Sequence, residues 1–315
     1  METVSEKLSN LTIFYGLAQA LGQALRLLPV VPSAPDLDIH RRMCYHGGMA
    51  KPFVKWGILK IAGEEYTMTQ HEAVVQTLER LGGMATLGQL NQEVFKIEDC
   101  VWKAKNPFAS IRRIVQTDKR IYKIRPGLWA LKSHQKELEQ RDIIVETEKN
   151  KNSKEIVEFN HSYYQGLLVS IGNLKRLGTF VPNHDKNRMF LNEKLGDLRT
   201  IHELPRYSYE NLVARSSTID VIWFNERNMP DSFFEVEHST DIQNSLMKFY
   251  DLQDFYTRMF IVADEKRHEE YNRKLRYASF AKLREDKRVK FLSYKDLERQ
   301  YRQTVELQSI TTRIL

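Results

Sequence analysis

The chain has 315 residues, 42% of them apolar and 28% charged, which argues against a mostly disordered polypeptide and leaves room for two domains. Lys and Arg outnumber Asp and Glu by 48 to 41, so the net charge is +7 and the balance leans toward an anionic partner. The two cysteines, Cys44 and Cys100, are far apart, which argues against a disulfide framework or a thiolate zinc site and suits a reducing, cytoplasmic setting.

Residues 1–67 read as a leader. Residues 11–28 are apolar, but Gln19, Gln23 and Arg26 interrupt them and Pro29 and Pro32 end them, so no membrane span is expected. Residues 2–7 carry more acid than base, against a secretory signal, and the Pro-Ser-Ala-Pro run at 32–35 reads as a loop. Met68, just before a helix start, would make a natural first residue. The leader is therefore expected to be weakly structured, or even to precede the natural start.

From 68 to 133 the pattern is three helices and two strands. Thr69 can cap a helix through Leu81, with Val74, Val75, Leu78 and Leu81 on one side, and Gly82-Gly83 ends it. Thr86 can cap a second helix that turns Leu87, Leu90 and Val94 inward. Pro107 can open a third, over 107–116, with Ile111, Ile114 and Val115 apolar. Two short strands then flank the Arg125-Pro-Gly turn. That order is the order of a winged helix-turn-helix. The Ile-Arg-Arg-Ile run at 111–114 and the Pro-Gly-Leu-Trp-Ala-Leu run at 126–131 resemble the HARE-type winged-helix family. Eleven Lys/Arg against six acids in 68–133 place most of the chain's excess charge there. Arg112 and Arg113 on the third helix, with Lys123 and Arg125 on the wing, are the expected DNA-binding residues.

Residues 134–159 are dense in charge and sparse in apolar side chains, which reads as a linker between domains. Beyond it, over 160–315, Leu167, Leu168, Ile171 and Leu174 recur at helical spacing within 163–177, and Gly178 stops the helix. A short strand is expected at 179–182, and then, after loops, a β-hairpin. A helix capped by Asp241 and carrying Leu246, Phe249, Leu252 and Phe255 comes next. A buried strand over 259–263, a charged helix over 265–283, a strand over 289–293 and a last helix over 295–303 complete the chain.

The hairpin carries the chemistry. Residues 219–224 form one apolar run, 225–231 the turn and 233–238 the returning run. Three acids interrupt these runs: Asp220, Glu235 and Glu237. Alternation puts Glu235 and Glu237 on one face, and an antiparallel register brings Asp220 beside them. Acids gathered this way repel unless a cation lies between them, and a hard divalent ion such as Mg²⁺ fits.

An acid entering on the second strand and an acid-x-acid on the third, within an αβββαβ order, resemble the PD-(D/E)XK nuclease superfamily. The run Phe-Glu-Val-Glu-His-Ser-Thr at 234–240 is similar to restriction-type nucleases that close this strand with Glu-His-(Ser/Thr). The resemblance implies that Asp220 and Glu235 hold the metal, Mg²⁺ with Mn²⁺ as a substitute. Glu237 stands where most members have Lys. It is expected to be a third catalytic residue, either as general base on water or as metal ligand of a second ion. Gln165 is expected to orient water or metal, and His238 to meet the scissile phosphate. Pro230-Asp231 lies in the turn, too near Glu235 to be the motif's acid.

The fold class that follows is α/β (α+β), a restriction endonuclease-like αβββαβ core preceded by a winged helix-turn-helix domain. The function is expected to be that of a Mg²⁺-dependent, restriction-type endodeoxyribonuclease acting on double-stranded DNA. A homodimer and a companion DNA methyltransferase are expected with it. A DNA-binding regulator with a non-catalytic nuclease fold and a protein-interaction module are the alternatives. There is no Gly-rich phosphate loop, His40, Cys44 and His46 lack a second pair of zinc ligands, and Ser216-Ser217 has no nucleophile-elbow setting.

Overall fold

The computed structural model describes residues 68–239 and 241–314, which lie within one compact unit, Thr67–Leu315. The expectations for the leader fall outside the described residues. Helix α1, Gln70–Arg80, is capped by Thr69, whose hydroxyl accepts from the Glu72 amide at 3.2 Å. Gly82 and Gly83, both with φ near +80°, end it in the left-handed region that glycine enters without strain. A short strand that the sequence pattern does not announce, β1 (Met84–Thr86), leads into α2, Leu87–Glu93. Thr86 and Gln89 close a reciprocal capping box there. Asn106 caps α3, Pro107–Thr117, and Pro107 takes its first turn. Strands β2 (Ile121–Arg125) and β3 (Leu128–Leu131) follow, giving an antiparallel sheet of order β1-β3-β2. Val74, Leu78, Leu90, Val94, Ile111 and Val115 fill the space beneath.

Residues 134–159, the expected linker, are packed in part. Leu138 and Ile143 are buried in the main core, and Ser153 caps a helix, α4, that begins at Lys154 and runs to Leu174. Charge density signals solvent on one side of a segment; here the other side is packed.

The second sheet follows. In chain order its strands are β4 (Gly178–Phe180), β5 (Val221–Phe224), β6 (Pro230–Glu237), β7 (Arg258–Ala263) and β8 (Val289–Ser293). Helices α5 (Ile242–Asp251) and α6 (His268–Leu275) connect the last three, and α7 (Tyr294–Ile314) ends the described chain. The order across the sheet is β8-β7-β6-β5-β4; β6, β7 and β8 are parallel, β5 and β4 antiparallel. The expected hairpin is β5–β6, with Val221 opposite Phe234. The expected long charged helix is instead broken by 3₁₀ turns at Glu265–Arg267 and Ala278–Phe280.

Alternation divides this sheet between two cores. Val221, Trp223, Phe234 and Val236 pack with Tyr164, Leu167 and Leu168 of α4 and Leu297 of α7. Ile222, Phe224, Phe233 and Ile261 pack with Leu246 and Phe249 of α5. Helix α7 ties the first sheet to the second: its Tyr301 sits on Gly88, and its Glu306 accepts from Asn91 at 3.0 Å. The fold is mixed α/β, as expected.

Candidate active site

Asp220 immediately precedes β5, and Glu235 and Glu237 lie at the far end of its antiparallel partner β6, so all three reach the same end of the sheet. The register sets Asp220 opposite Glu235: the Asp220 amide faces Glu235 Oε1 at 3.3 Å, and Asp220 Oδ2 accepts from the Val236 amide at 2.7 Å. All three are buried, at 8%, 2% and 5% exposure.

The two glutamates share the face that α5 covers. Lys248 on that helix brings its ammonium to 2.8 Å from Glu235 Oε2 and donates to the Thr218 carbonyl at 2.9 Å. Ser245, one turn earlier, places its hydroxyl 3.1 Å from Glu235 Oε2 and in hydrogen-bond contact with Glu237 Oε1. One hydroxyl carries one proton, so it cannot donate to both carboxylates at once. A proton retained on the acids resolves that contest. Burial drives the Glu235 carboxyl well above its ordinary range, and the nearby Asp220 adds to this while Lys248 opposes it. Glu237 is pushed up to about 7, chiefly by burial, with the Ser245 hydrogen bond pulling the other way. Lys248 is raised: the pull of Glu235 and Asp220 outweighs the burial that would lower it.

On its other side Asp220 meets α4. Gln165 is fully buried and its Nε2 donates to Asp185 Oδ2 at 2.8 Å and to the Asp220 carbonyl at 3.2 Å. His161, one turn before Gln165, holds Nε2 3.8 Å from Asp220 Oδ1 and 3.7 Å from Asp185 Oδ2. Asp185 comes from the loop after β4. Its burial would raise its pKa, yet His161 and Gln165 outweigh that and hold it down to about 2.

The structure therefore brings together Asp220, Glu235, Glu237 and Gln165. It does not bring His238 to them. Both His238 ring nitrogens are engaged elsewhere, Nε2 with the Lys151 carbonyl at 3.0 Å and Nδ1 with the Asn160 amide at 3.3 Å. The expectation that it meets a phosphate is corrected accordingly: a strand-end histidine is positioned by whatever packs on it, here α4 and the segment before it. Asp231 sits at the opposite end of β6, paired with Arg258.

Arg125 also differs from expectation. It is 3% exposed, with its guanidinium 4.2 Å from the Phe159 ring centre and 4.0 Å from Glu146. Burial lowers its pKa, and a buried guanidinium cannot grip a backbone. A basic residue beside a Pro-Gly turn looks solvent-facing in sequence; α4 covers it. Arg113 and Lys123 are exposed, and Arg112 is half-buried beside Glu306, 4.0 Å away.

Four residues at this centre escape the sequence pattern: His161, Asp185, Ser245 and Lys248. His161 stands four before Gln165, and Lys248 three after Ser245, so each shares a helix face with its neighbour. That spacing is the signal for them. Nothing local distinguishes Asp185.

Residues 142–315, which contain the five-stranded sheet and every acid above, match the family described as Type II restriction enzyme NmeDI C-terminal domain. The type II restriction enzyme NmeDI of Neisseria meningitidis serogroup C is 28% identical over 120 residues, covering 35% of this chain and 34% of that enzyme. The chain thus matches about a third of that relative's length. No solved structure matches it.

Proposed function

Because the chain belongs to the Type II restriction enzyme NmeDI C-terminal domain family, matched over residues 142–315, we propose that it is a Mg²⁺-dependent endodeoxyribonuclease of restriction type. The observation that carries this reading is the buried trio Asp220, Glu235 and Glu237 at one end of the sheet, with Lys248 reaching Glu235. The donor set fits a hard divalent cation: carboxylate oxygens converge where one lysine is too little charge for three acids. Asp220 and Glu235 would hold the ion. When bound, it neutralises charge on the phosphoryl and leaving oxygens.

The chain's own residues divide the remaining work. A carboxyl poised near neutral pH suits a general base, so Glu237 takes a proton from the attacking water. Lys248 supplies, from α5, the positive charge that the resembling motif carries on its strand. Its ammonium draws developing negative charge at the phosphate and fixes Glu235. Gln165 orients Asp220 through the Asp220 carbonyl.

Helices α1–α3 with β1–β3 are read as a winged helix-turn-helix that positions the duplex, through Arg112, Arg113 and Lys123. Cutting both strands from one such centre per chain calls for a homodimer, and a restriction role calls for a protecting methyltransferase. The test is plasmid DNA incubated with Mg²⁺, with and without EDTA. Cleavage is expected with the metal and none in EDTA. Asp220→Ala, Glu235→Ala and Glu237→Ala should each abolish cutting yet leave duplex binding intact. Full cleavage by Glu235→Ala would overturn the assignment. Metal-independent, salt-sensitive DNA binding without any cleavage would favour the regulator instead.

A further inference from the structure

His161, Asp185 and Asp220 form a second constellation. One ligand atom from each, imidazole Nε2 and two carboxylate oxygens, all lie within 4.8 Å of one another. The imidazole nitrogen is 3.7 Å from one carboxylate and 3.8 Å from the other, too far for a direct hydrogen bond to either. Ligands about 2.1 Å from a common ion are spaced roughly 3 to 4 Å apart, so these separations suit an ion between the groups better than contacts among them.

The walls are built to hold that arrangement. Arg188 Nε lies 2.6 Å from Asp185 Oδ1, which leaves Oδ2 toward the imidazole. His161 and Gln165 are four residues apart on α4, a 21-residue helix, and so share a rigid face. Gln165 gives an independent sign of a ligand. It is 0% exposed, and its Oε1 has no hydrogen-bond partner although Nε2 of the same amide touches Asp185 and the Asp220 carbonyl. A buried carbonyl oxygen left unbonded costs about 1–3 kcal/mol. An ion in the cluster would relieve that cost: turning the amide over presents Oε1 to the ion and gives up the Nε2 contacts to Asp185 and the Asp220 carbonyl that the metal-free site holds.

We propose that His161, Asp185 and Asp220, completed by Gln165, bind a first-row divalent transition cation. An imidazole nitrogen in the set favours such an ion over Mg²⁺, which prefers oxygen alone. The site shares Asp220 with the proposed catalytic carboxylates but excludes Glu237, so it is a separate cation position on the opposite side of that aspartate. It neither requires DNA cleavage nor follows from it.

Mn²⁺ added to the full chain in the absence of DNA, followed by pulsed electron paramagnetic resonance, tests this. A bound Mn²⁺ showing nitrogen coupling is expected. His161→Gln should remove the coupling and weaken Mn²⁺ binding at least tenfold, since outer-shell changes alone cost about 10–100-fold. Asp185→Asn should weaken binding while keeping some nitrogen coupling, and Glu235→Gln should retain both. Circular dichroism establishes that each variant is folded. Bound Mn²⁺ without nitrogen coupling, coupling that survives His161→Gln, or unchanged affinity in both folded variants would overturn the proposal. Parallel cleavage assays in Mg²⁺ keep the two readings apart. Cleavage without nitrogen-coupled Mn²⁺ sinks this site alone; nitrogen-coupled Mn²⁺ without cleavage sinks the nuclease reading alone.

Discussion

Replacing Glu237 by Gln should stabilise the metal-free protein at alkaline pH. Glu237 is 5% exposed and is pushed up from an ordinary 4.5 to about 7 by burial, with Asp220 adding to the effect and Ser245 opposing it. The folded state therefore keeps its proton over a pH range in which the unfolded chain has released it. Below about pH 4.5 both states are protonated and the full stability is present; it is lost as pH rises through about 7. At about 1.4 kcal/mol per pH unit the complete loss is roughly 3 kcal/mol, and relaxation around the charge reduces it to about 2 kcal/mol. Gln keeps the shape and the hydrogen bond to Ser245 without the charge. In EDTA, urea unfolding followed by circular dichroism should give Glu237→Gln an advantage of about 2 kcal/mol at pH 8 and almost none at pH 4.5. The variant also relieves the neighbouring Glu235 of the repulsion by which Glu237 helps to raise its carboxyl, which adds to the advantage in the same direction. A Gln variant less stable than wild type at pH 8, or an advantage that does not change with pH, would refute the reasoning.

Lys248→Met removes the charge beside Glu235 while keeping the stem, and should cost about 1–3 kcal/mol at pH 8 and less at pH 5, since burial holds the Glu235 carboxyl above its ordinary range and acid favours its neutral form. Unfolding curves at the two pH values check it, and plasmid cleavage by the folded variant should fall at least about a hundredfold. Arg113→Ala and Lys123→Ala should each lower the slope of log affinity against log salt for duplex DNA by about one. Arg125→Leu should leave that slope unchanged, because its guanidinium lies under α4 and not at the surface. Gly166→Ala should destabilise the protein by about 1–3 kcal/mol, since a Cβ there would overlap the Phe190 ring; a thermal melt suffices to check it.

What could be read in the sequence is what neighbouring residues decide among themselves. Thr86 and Gln89 announce a helix start three residues apart, Pro107 another, and the register of β5 on β6 follows from a turn and two apolar runs. What could not be read is which distant element covers a given side chain. Arg125 and His238 look exposed because each ends a strand, and α4 with the segment before it takes both. The residues 134–159 look like a tether because their charges are local, whereas the packing of Leu138 and Ile143 is not.

The same distinction applies to the acids themselves. Counted along two strands, Asp220, Glu235 and Glu237 make one cluster and one cation site. Placed in space, they stay at one end of the sheet but engage different helices. Glu235 and Glu237 turn to α5 and share Ser245 and Lys248, while Asp220 leans to α4 and meets His161. A Lys at 237 would set a second ammonium beside Lys248, although α5 already delivers that charge to Glu235. With Lys248 at 2.8 Å from Glu235, a second lysine would balance the charge of Asp220 and Glu235, whereas a glutamate at 237 leaves the end of the sheet with an excess of acid that can take up both a proton and a cation.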